Sequence, residues 1–221
     1  MSDFPLRNHS RDVTAHMLKS ILQVLFLSFS IIGCSTQVKK KRELQQSVFY
    51  EIFPVIIDTL HTDIRLYTYE MANDNKKLDS LAKDTTSIVI ALNDTLKLLE
   101  KQDYVSLQDH IKASSMPLDS MIEDNTRIID ISRLNAKDKR IQFKTIDSFP
   151  KGIDFWRTQY DFYLSAKFSF SRILLNIDKT FGLVHVGYVC GPYKCGEGFL
   201  VYIKKEEGKW KIDRIEDTWA M

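Results

Sequence analysis

The last third of the chain carries the pattern that most restricts the fold. Turn-forming sequences, NIDKT, GPYKCGEG and EEGK, separate β-rich runs from one another. Connections this short make neighbouring strands antiparallel. The sequence therefore predicts an α+β fold, with helices packed on a C-terminal antiparallel β-meander of about four strands. The four runs are 168–177, 182–190, 199–204 and 210–215.

Upstream of the meander, helical and strand-like patterns alternate. Apolar residues from Val48 to Leu66 recur at helical spacing, with a kink or break expected at Pro54. Shorter patterns predict strands at 87–92 and 140–146, helices at 96–111 and 153–166, and a loop at 73–86.

A short apolar run lies near the N-terminus. Residues 21–32, ILQVLFLSFSII, follow Lys19 and precede Gly33 and Cys34. The run is shorter than the roughly 20 residues that span a bilayer, so it predicts a signal peptide over residues 1–33. The first sixteen residues are polar and unlike such a signal, so we expect that translation starts at Met17 and that 1–16 is a spurious extension.

The end of this run resembles a known processing site. Ile31-Ile32-Gly33-Cys34 resembles the lipobox of bacterial lipoproteins, with Ile31 where leucine is commonest. The resemblance implies cleavage between Gly33 and Cys34 and acylation of Cys34, which anchors the chain to a membrane. Residues 34–44 are then expected to be a polar, lipidated tether, and 45–221 is long enough to form a single globular domain. The alternatives are an uncleaved membrane helix with a chance cysteine and a buried helix of a cytosolic protein.

The same resemblance implies a location. The acidic run that marks surface export in some lipoproteins of the Bacteroidota is absent, and Ser35 follows the cysteine. This pattern implies an outer-membrane protein facing the periplasm. The basic run Lys39 to Arg42 is either a solvated part of the tether or an attraction to anionic lipid.

With Cys34 lipidated, Cys190 and Cys195 remain as an even pair. An oxidising periplasm favours a disulfide between them. Redox activity, metal binding and free thiols are the alternatives. A disulfide here would hold Tyr193 in one orientation as a possible partner contact, unless Tyr193 packs back on the sheet.

A second resemblance covers the last third. Phe170-Ser171-Arg172, Cys190-Gly191, Cys195-Gly196 and Gly208-Lys209-Trp210-Lys211 occur in this order. The pattern is similar to that of uncharacterised Bacteroidota lipoproteins, and it implies kinship without implying an activity.

Charge and motifs exclude several functions. The chain has 31 Lys and Arg against 29 Asp and Glu, without the concentrated basic face of a nucleic-acid-binding protein. It lacks a Gly-rich phosphate loop, Gly-x-Ser-x-Gly, His-Glu-x-x-His and a four-residue zinc spacing. We therefore expect no cofactor, no metal and no catalytic residue that a motif identifies.

Three weaker patterns each allow two interpretations. Asp58, His61 and Asp63 are either metal ligands or polar residues on a solvated helix face. His185 is either a packed or hydrogen-bonded residue of a strand or a catalytic base. An aromatic set lines a ligand groove or forms core. The set is Phe155, Trp156, Tyr160, Phe162 and Tyr163.

Two functions remain from the sequence. One is a non-enzymatic binding or accessory module of the cell envelope, with the membrane and an envelope protein or ligand as partners. The other is a periplasmic hydrolase with an unrecognised active site. Converging titratable groups in a cleft favour the hydrolase, and an exposed apolar or aromatic patch favours the binding module.

Overall fold

The computed structural model describes residues 39–111, 127–192 and 195–220. The chain forms two compact units, Met1–Leu44 and Gln45–Met221. In the first unit the described residues 39–44, which belong to the expected tether, are helical. Cys34, Gly33, Met17 and Tyr193 lie outside the described residues, and so do the expectations that rest on them.

Helices and strands alternate through the described chain. The helices are α1 (39–60), α2 (Ile64–Met71), α3 (Asn75–Ala82), α4 (Lys101–Ile111) and α5 (Asp154–Arg157), with 3₁₀ turns at Ile131–Arg133 and Ile146–Ser148. The strands are β1 (Ile88–Leu92), β2 (Thr95–Leu96), β3 (Arg127–Ile128), β4 (Ile141–Thr145), β5 (Tyr163–Phe170), β6 (Leu174–Leu175), β7 (Phe181–Val189), β8 (Gly196–Glu206) and β9 (Lys209–Ala220).

The main sheet is mixed and has seven strands. Its order is β4-β1-β5-β7-β8-β9, with β6 paired to β7, while β2 and β3 form a separate ribbon. The C-terminal strands are antiparallel, and the α+β class is as predicted. The expected number of about four strands is wrong, because β1 pairs in parallel with both β4 and β5 and extends the sheet. Parallel neighbouring strands are joined by long crossover connections, so their pairing leaves no short turn motif in the sequence.

Helix α1 covers one face of this sheet. Its stripe of Phe49, Ile52, Phe53 and Ile56 is at most 3% exposed, and the rings of Phe49 and Phe53 contact Phe170 at centroid distances of 5.5 and 5.4 Å. The expected break at Pro54 is absent, because helix is continuous to residue 60. Proline removes one backbone hydrogen bond, and the buried stripe offsets that loss.

Two other segments differ from their sequence patterns. The expected loop at 73–86 contains α3, whose first turn is capped when Asp74 accepts a hydrogen bond from the backbone N–H of Lys77. The expected helix at 153–166 ends at Arg157, and β5 begins at Tyr163. Tyr163 pairs with Ile88 of β1, so sheet pairing overrides the local helical spacing.

Cys190 and Cys195 flank the β7–β8 connection at disulfide distance, with Cα atoms 5.3 Å apart. The backbone N–H of Cys190 also donates to the carbonyl of Cys195 at 2.8 Å. The pairing expected from the lipoprotein resemblance therefore has the required geometry. Within the described ranges, no helix is both long and apolar enough to cross a membrane.

Candidate binding surface

The sheet face opposite α1, here called the far face, is covered at its two ends. At one end α4 packs Tyr104 and Leu107 against Leu183 and Tyr202. At the other end an aromatic cluster around Phe149 packs on β1. Between these covers the far face of the central strands is only half buried.

Strand register shows which side chains share this uncovered area. One row across the sheet is Ser169, Gly187, Gly198 and Trp219, from β5 to β9. The neighbouring row contains His185 opposite Leu200, and Leu200 opposite Glu216. We call the area the open patch and define it by Lys167, Ser169, His185, Gly187, Leu200, Glu216 and Trp219.

Trp219 lies flat against the strands at the centre of the open patch. A Cβ added to Gly198 would fall onto Nε1, Cδ1 and Cε2 of its indole, and one added to Gly187 would lie 3.8 Å from Cζ2. The indole therefore occupies the space that two missing side chains leave above β7 and β8. Trp219 is still 42% exposed, so the protein presents a large aromatic surface on a rigid floor.

His185 borders this platform and is held by a buried carboxylate. Its Nε2 lies 2.6 Å from Oδ1 of Asp103, with the two side chains 42% and 5% exposed. The other oxygen of Asp103 accepts the backbone N–H of Glu100 at 2.6 Å, just before α4. Nε2 of His185 is therefore engaged with the Asp103 carboxylate, and Nδ1 takes no part in this bond.

The β9 side of the open patch is fixed by a second hydrogen-bond network. The Tyr202 hydroxyl donates to Glu216 at 3.1 Å, and Arg214 pairs with the same carboxylate at 2.9 Å. Burial, followed by the Glu216 carboxylate, raises the pKa of Tyr202 to about 12. Tyr202 therefore remains a neutral donor that orients Glu216.

The second place where titratable groups converge is at the C-terminal end of α1. His61 Nε2 is 2.8 Å from Oγ of Ser165, which is the extra residue of a β-bulge in β5 and is fully buried. Burial lowers the pKa of His61 from 6.5, against the opposing charges of Asp63 and Asp138. The Ser165 hydroxyl is buried and inaccessible to a substrate. Its hydrogen bond with His61 therefore satisfies the polar side chain of the bulged residue.

Arg65, which follows His61 closely in the chain, is already paired. Arg65 binds Asp63 at 2.7 Å and Asp84 at 2.8 Å, and its guanidinium lies 3.8 Å from the centre of the Tyr163 ring. An open groove of about 460 Å³ borders Arg65, lined also by Tyr69, Lys77, Ser80 and Lys83. Lys77 is paired with Asp74 at 3.1 Å, so most of the groove's positive charge is compensated.

The structure gives separate environments to the candidate site residues identified in the sequence. Asp58 does not join His61 and Asp63, because its carboxylate accepts the backbone N–H of Lys137 at 3.3 Å. No group of three metal-binding side chains occurs in the described part of the chain. His185 is hydrogen-bonded, as one of its two readings had it. In the aromatic set Phe155 is buried in the Phe149 cluster, and Trp156, Tyr160 and Phe162 are partly buried against it. Tyr163 lies on the opposite face, half-buried beneath the Arg65 guanidinium.

Trp219, Asp103 and the two glycines were not singled out from the sequence. The available signal was Gly187 inside a strand-like run, which indicates a close approach of another group. Gly198 belongs to the turn-forming sequence GPYKCGEG and carried no such signal. Which group approaches depends on the pairing of β8 with β9. Comparison with known proteins adds no relative, since no family model, curated protein or solved structure matches this chain significantly.

Proposed function

We propose that this chain is a lipid-anchored protein of the bacterial cell envelope that binds a ligand on the open patch. The lipobox-like sequence ending at Cys34 supports acylation and a place on the outer membrane facing the periplasm. The exposed indole of Trp219 on its glycine floor is the observation that carries the binding function. Rigid aromatic surfaces with a polar rim are typical of binding hot spots.

The polar side chains around the Trp219 indole, here called the rim, have fixed positions, and this supports the same function. His185 and Glu216 are each oriented by a partner that is itself part of the fold, Asp103 and Tyr202. Side chains held in this way lose little conformational entropy when a ligand arrives, so the surface is preorganised for binding.

Photocrosslinking in the producing bacterium tests this function on the full chain. A photoreactive residue in place of Ser169 should give a discrete envelope adduct, and Trp219→Ala in the same chain should abolish it. The matched control carries the photoreactive residue in place of Tyr67, an aromatic side chain on α2 that is 56% exposed. Equal adducts from both positions, or an adduct that persists without Trp219, would refute binding at the open patch.

The second candidate function is a periplasmic hydrolase, and the Asp103–His185 pair favours it. A carboxylate that fixes the tautomer of an accessible histidine is the arrangement of a general base. His185→Gln would then abolish release of soluble fragments from envelope polymers, while Trp219→Ala would weaken substrate binding. Unchanged fragment release with His185→Gln would exclude this base.

A further inference from the structure

Building on the proposed binding function, we propose that the ligand of the open patch is an uncharged saccharide whose pyranose ring stacks on Trp219. The assignment depends on three properties of the patch: the shape of its floor, its charge and the hydrogen bonding of its backbone. Each of them restricts the ligand independently.

The floor offers a single flat apolar face. One side of the Trp219 indole is occupied by Gly198 and Gly187, so only the other side is available. The indole reaches across two strands, which lie about 4.8 Å apart, a distance comparable to the width of one pyranose ring. The C–H face of such a ring stacks on an aromatic face, and its hydroxyls project sideways toward the rim.

The rim is balanced in charge and mixed in hydrogen-bonding type. The open patch contains one basic residue, Lys167, and one acidic residue, Glu216, so no excess charge selects an anion or a cation. Glu216 accepts hydrogen bonds, whereas the Ser169 hydroxyl, which lies 2.7 Å from a Cβ placed on Gly187, both donates and accepts. Sugar hydroxyls also donate and accept, and they fit such a mixed rim.

The backbone of β7 and β8, which lies under the Trp219 indole, cannot take up a peptide as an added strand. β7 is paired on one side with β5 and on the other with β8, and β8 is paired with β7 and β9. Their N–H and C=O groups are used within the sheet, so a peptide lying across the indole would find no ladder to join, and the outer edge of the sheet on this side is that of β9. Side-chain stacking and rim hydrogen bonds are the interactions that remain for a ligand.

Titration calorimetry with the full chain in detergent tests the assignment. The probes are β-1,4-linked oligomers of N-acetylglucosamine and α-1,4-linked oligomers of glucose, with adenosine and a neutral tetrapeptide as non-saccharide probes. We expect saturable binding of at least one saccharide and no comparable binding of the other two. Trp219→Ala should weaken that binding at least tenfold, and Ser169→Ala severalfold.

The matched control is Tyr67→Ala, which removes an exposed aromatic ring far from the patch in sequence and should leave the affinity unchanged. Ser169→Ala keeps the test decisive if Trp219→Ala unfolds, because it removes one hydroxyl from a half-buried position. Absence of binding by both saccharides, or equal affinity for Trp219→Ala and the wild type, overturns the inference. If Trp219-dependent crosslinks form in cells while both saccharides fail to bind, the saccharide assignment falls and the binding function stands.

Discussion

At the level of single residues, burial controls the charge of His61. Folding lowers its pKa below 6.5, chiefly by desolvation. The unfolded chain therefore binds a proton more tightly than the folded chain, and protonation favours unfolding. The stability that depends on neutral His61 is complete above about pH 6.5 and is lost as the pH falls through the lowered pKa.

His61→Gln tests this coupling. Glutamine can still bond the Ser165 hydroxyl but does not titrate, so the free energy of unfolding of the variant should fall less than that of the wild type between about pH 7 and pH 5. Urea unfolding across this range measures the difference. Parallel pH profiles for the two proteins would contradict a lowered pKa at His61.

Trp210 is a second residue whose environment has a measurable consequence. Its side chain is 5% exposed on the α1 face, between the exposed Lys209 and Lys211, and its backbone N–H donates to Glu51 at 2.8 Å. Trp210→Ala should lower the free energy of unfolding by about 3–5 kcal/mol, because it leaves a cavity. Lys209→Ala is the control and should change it by less than about 0.5 kcal/mol. Comparable losses in urea unfolding would mean that the face assignment is wrong.

At the level of elements, α4 is attached to the sheet at both ends. Near its start Asp103 binds His185 of β7, and near its end His110 binds Asp213 of β9 at 2.7 Å. The hydrogen bond from Lys204 has the largest effect on Asp213 and lowers the pKa of its carboxyl group. Burial opposes this shift, and the hydrogen bond from His110 adds to it. The apolar contacts of Tyr104 and Leu107 lie between these two attachments.

Asp103→Ala should detach the start of α4. The change removes the reciprocal half of a capping box, in which Asp103 bonds the backbone N–H of Glu100, and it leaves His185 without its carboxylate. We expect a loss of about 2–4 kcal/mol from hydrogen bonds to a charged group and a helix cap. Hydrogen exchange should quicken in α4, whereas Asp109→Ala, an exposed change on the same helix, should leave exchange unaltered. Similar exchange in the two variants would contradict the attachment.

The β7–β8 connection is the other element with a specific chemistry. Cys190 and Cys195 are close enough for a disulfide, which closes a short loop and stabilises the chain by only about 2 kcal/mol. A non-reduced digest of protein exported to the periplasm should contain both cysteines in one linked species. Alkylation of both thiols without reductant would show that the bond does not form.

At the level of the whole molecule, the lipobox-like sequence predicts a lipid anchor at Cys34. Burial of each acyl CH₂ contributes roughly 0.8 kcal/mol, so two or more chains hold a protein on a membrane. A full chain expressed in a Gram-negative host with labelled palmitate should incorporate the label at Cys34, and Cys34→Ala should not. Label in both proteins would refute acylation at this residue.

Features that depend on local spacing were predictable from the amino-acid sequence alone. The antiparallel C-terminal strands, the apolar stripe of α1 and the alternation that buries Trp210 were all predictable, because side-chain period and turn residues are properties of neighbouring positions. The strand patterns at 87–92 and 140–146 were also predictable, as β1 and β4 show.

Which of these elements contact one another depends on tertiary packing. β1 joins β4 and β5 in parallel, a pairing that requires crossovers and leaves no signal in any one segment. The same holds for the open patch, where Trp219 reaches Gly198 through the β8–β9 register and Asp103 reaches His185 through the docking of α4. Contacts between residues far apart in the chain depend on the packing of the whole domain, and local periodicity carries no information about the partner.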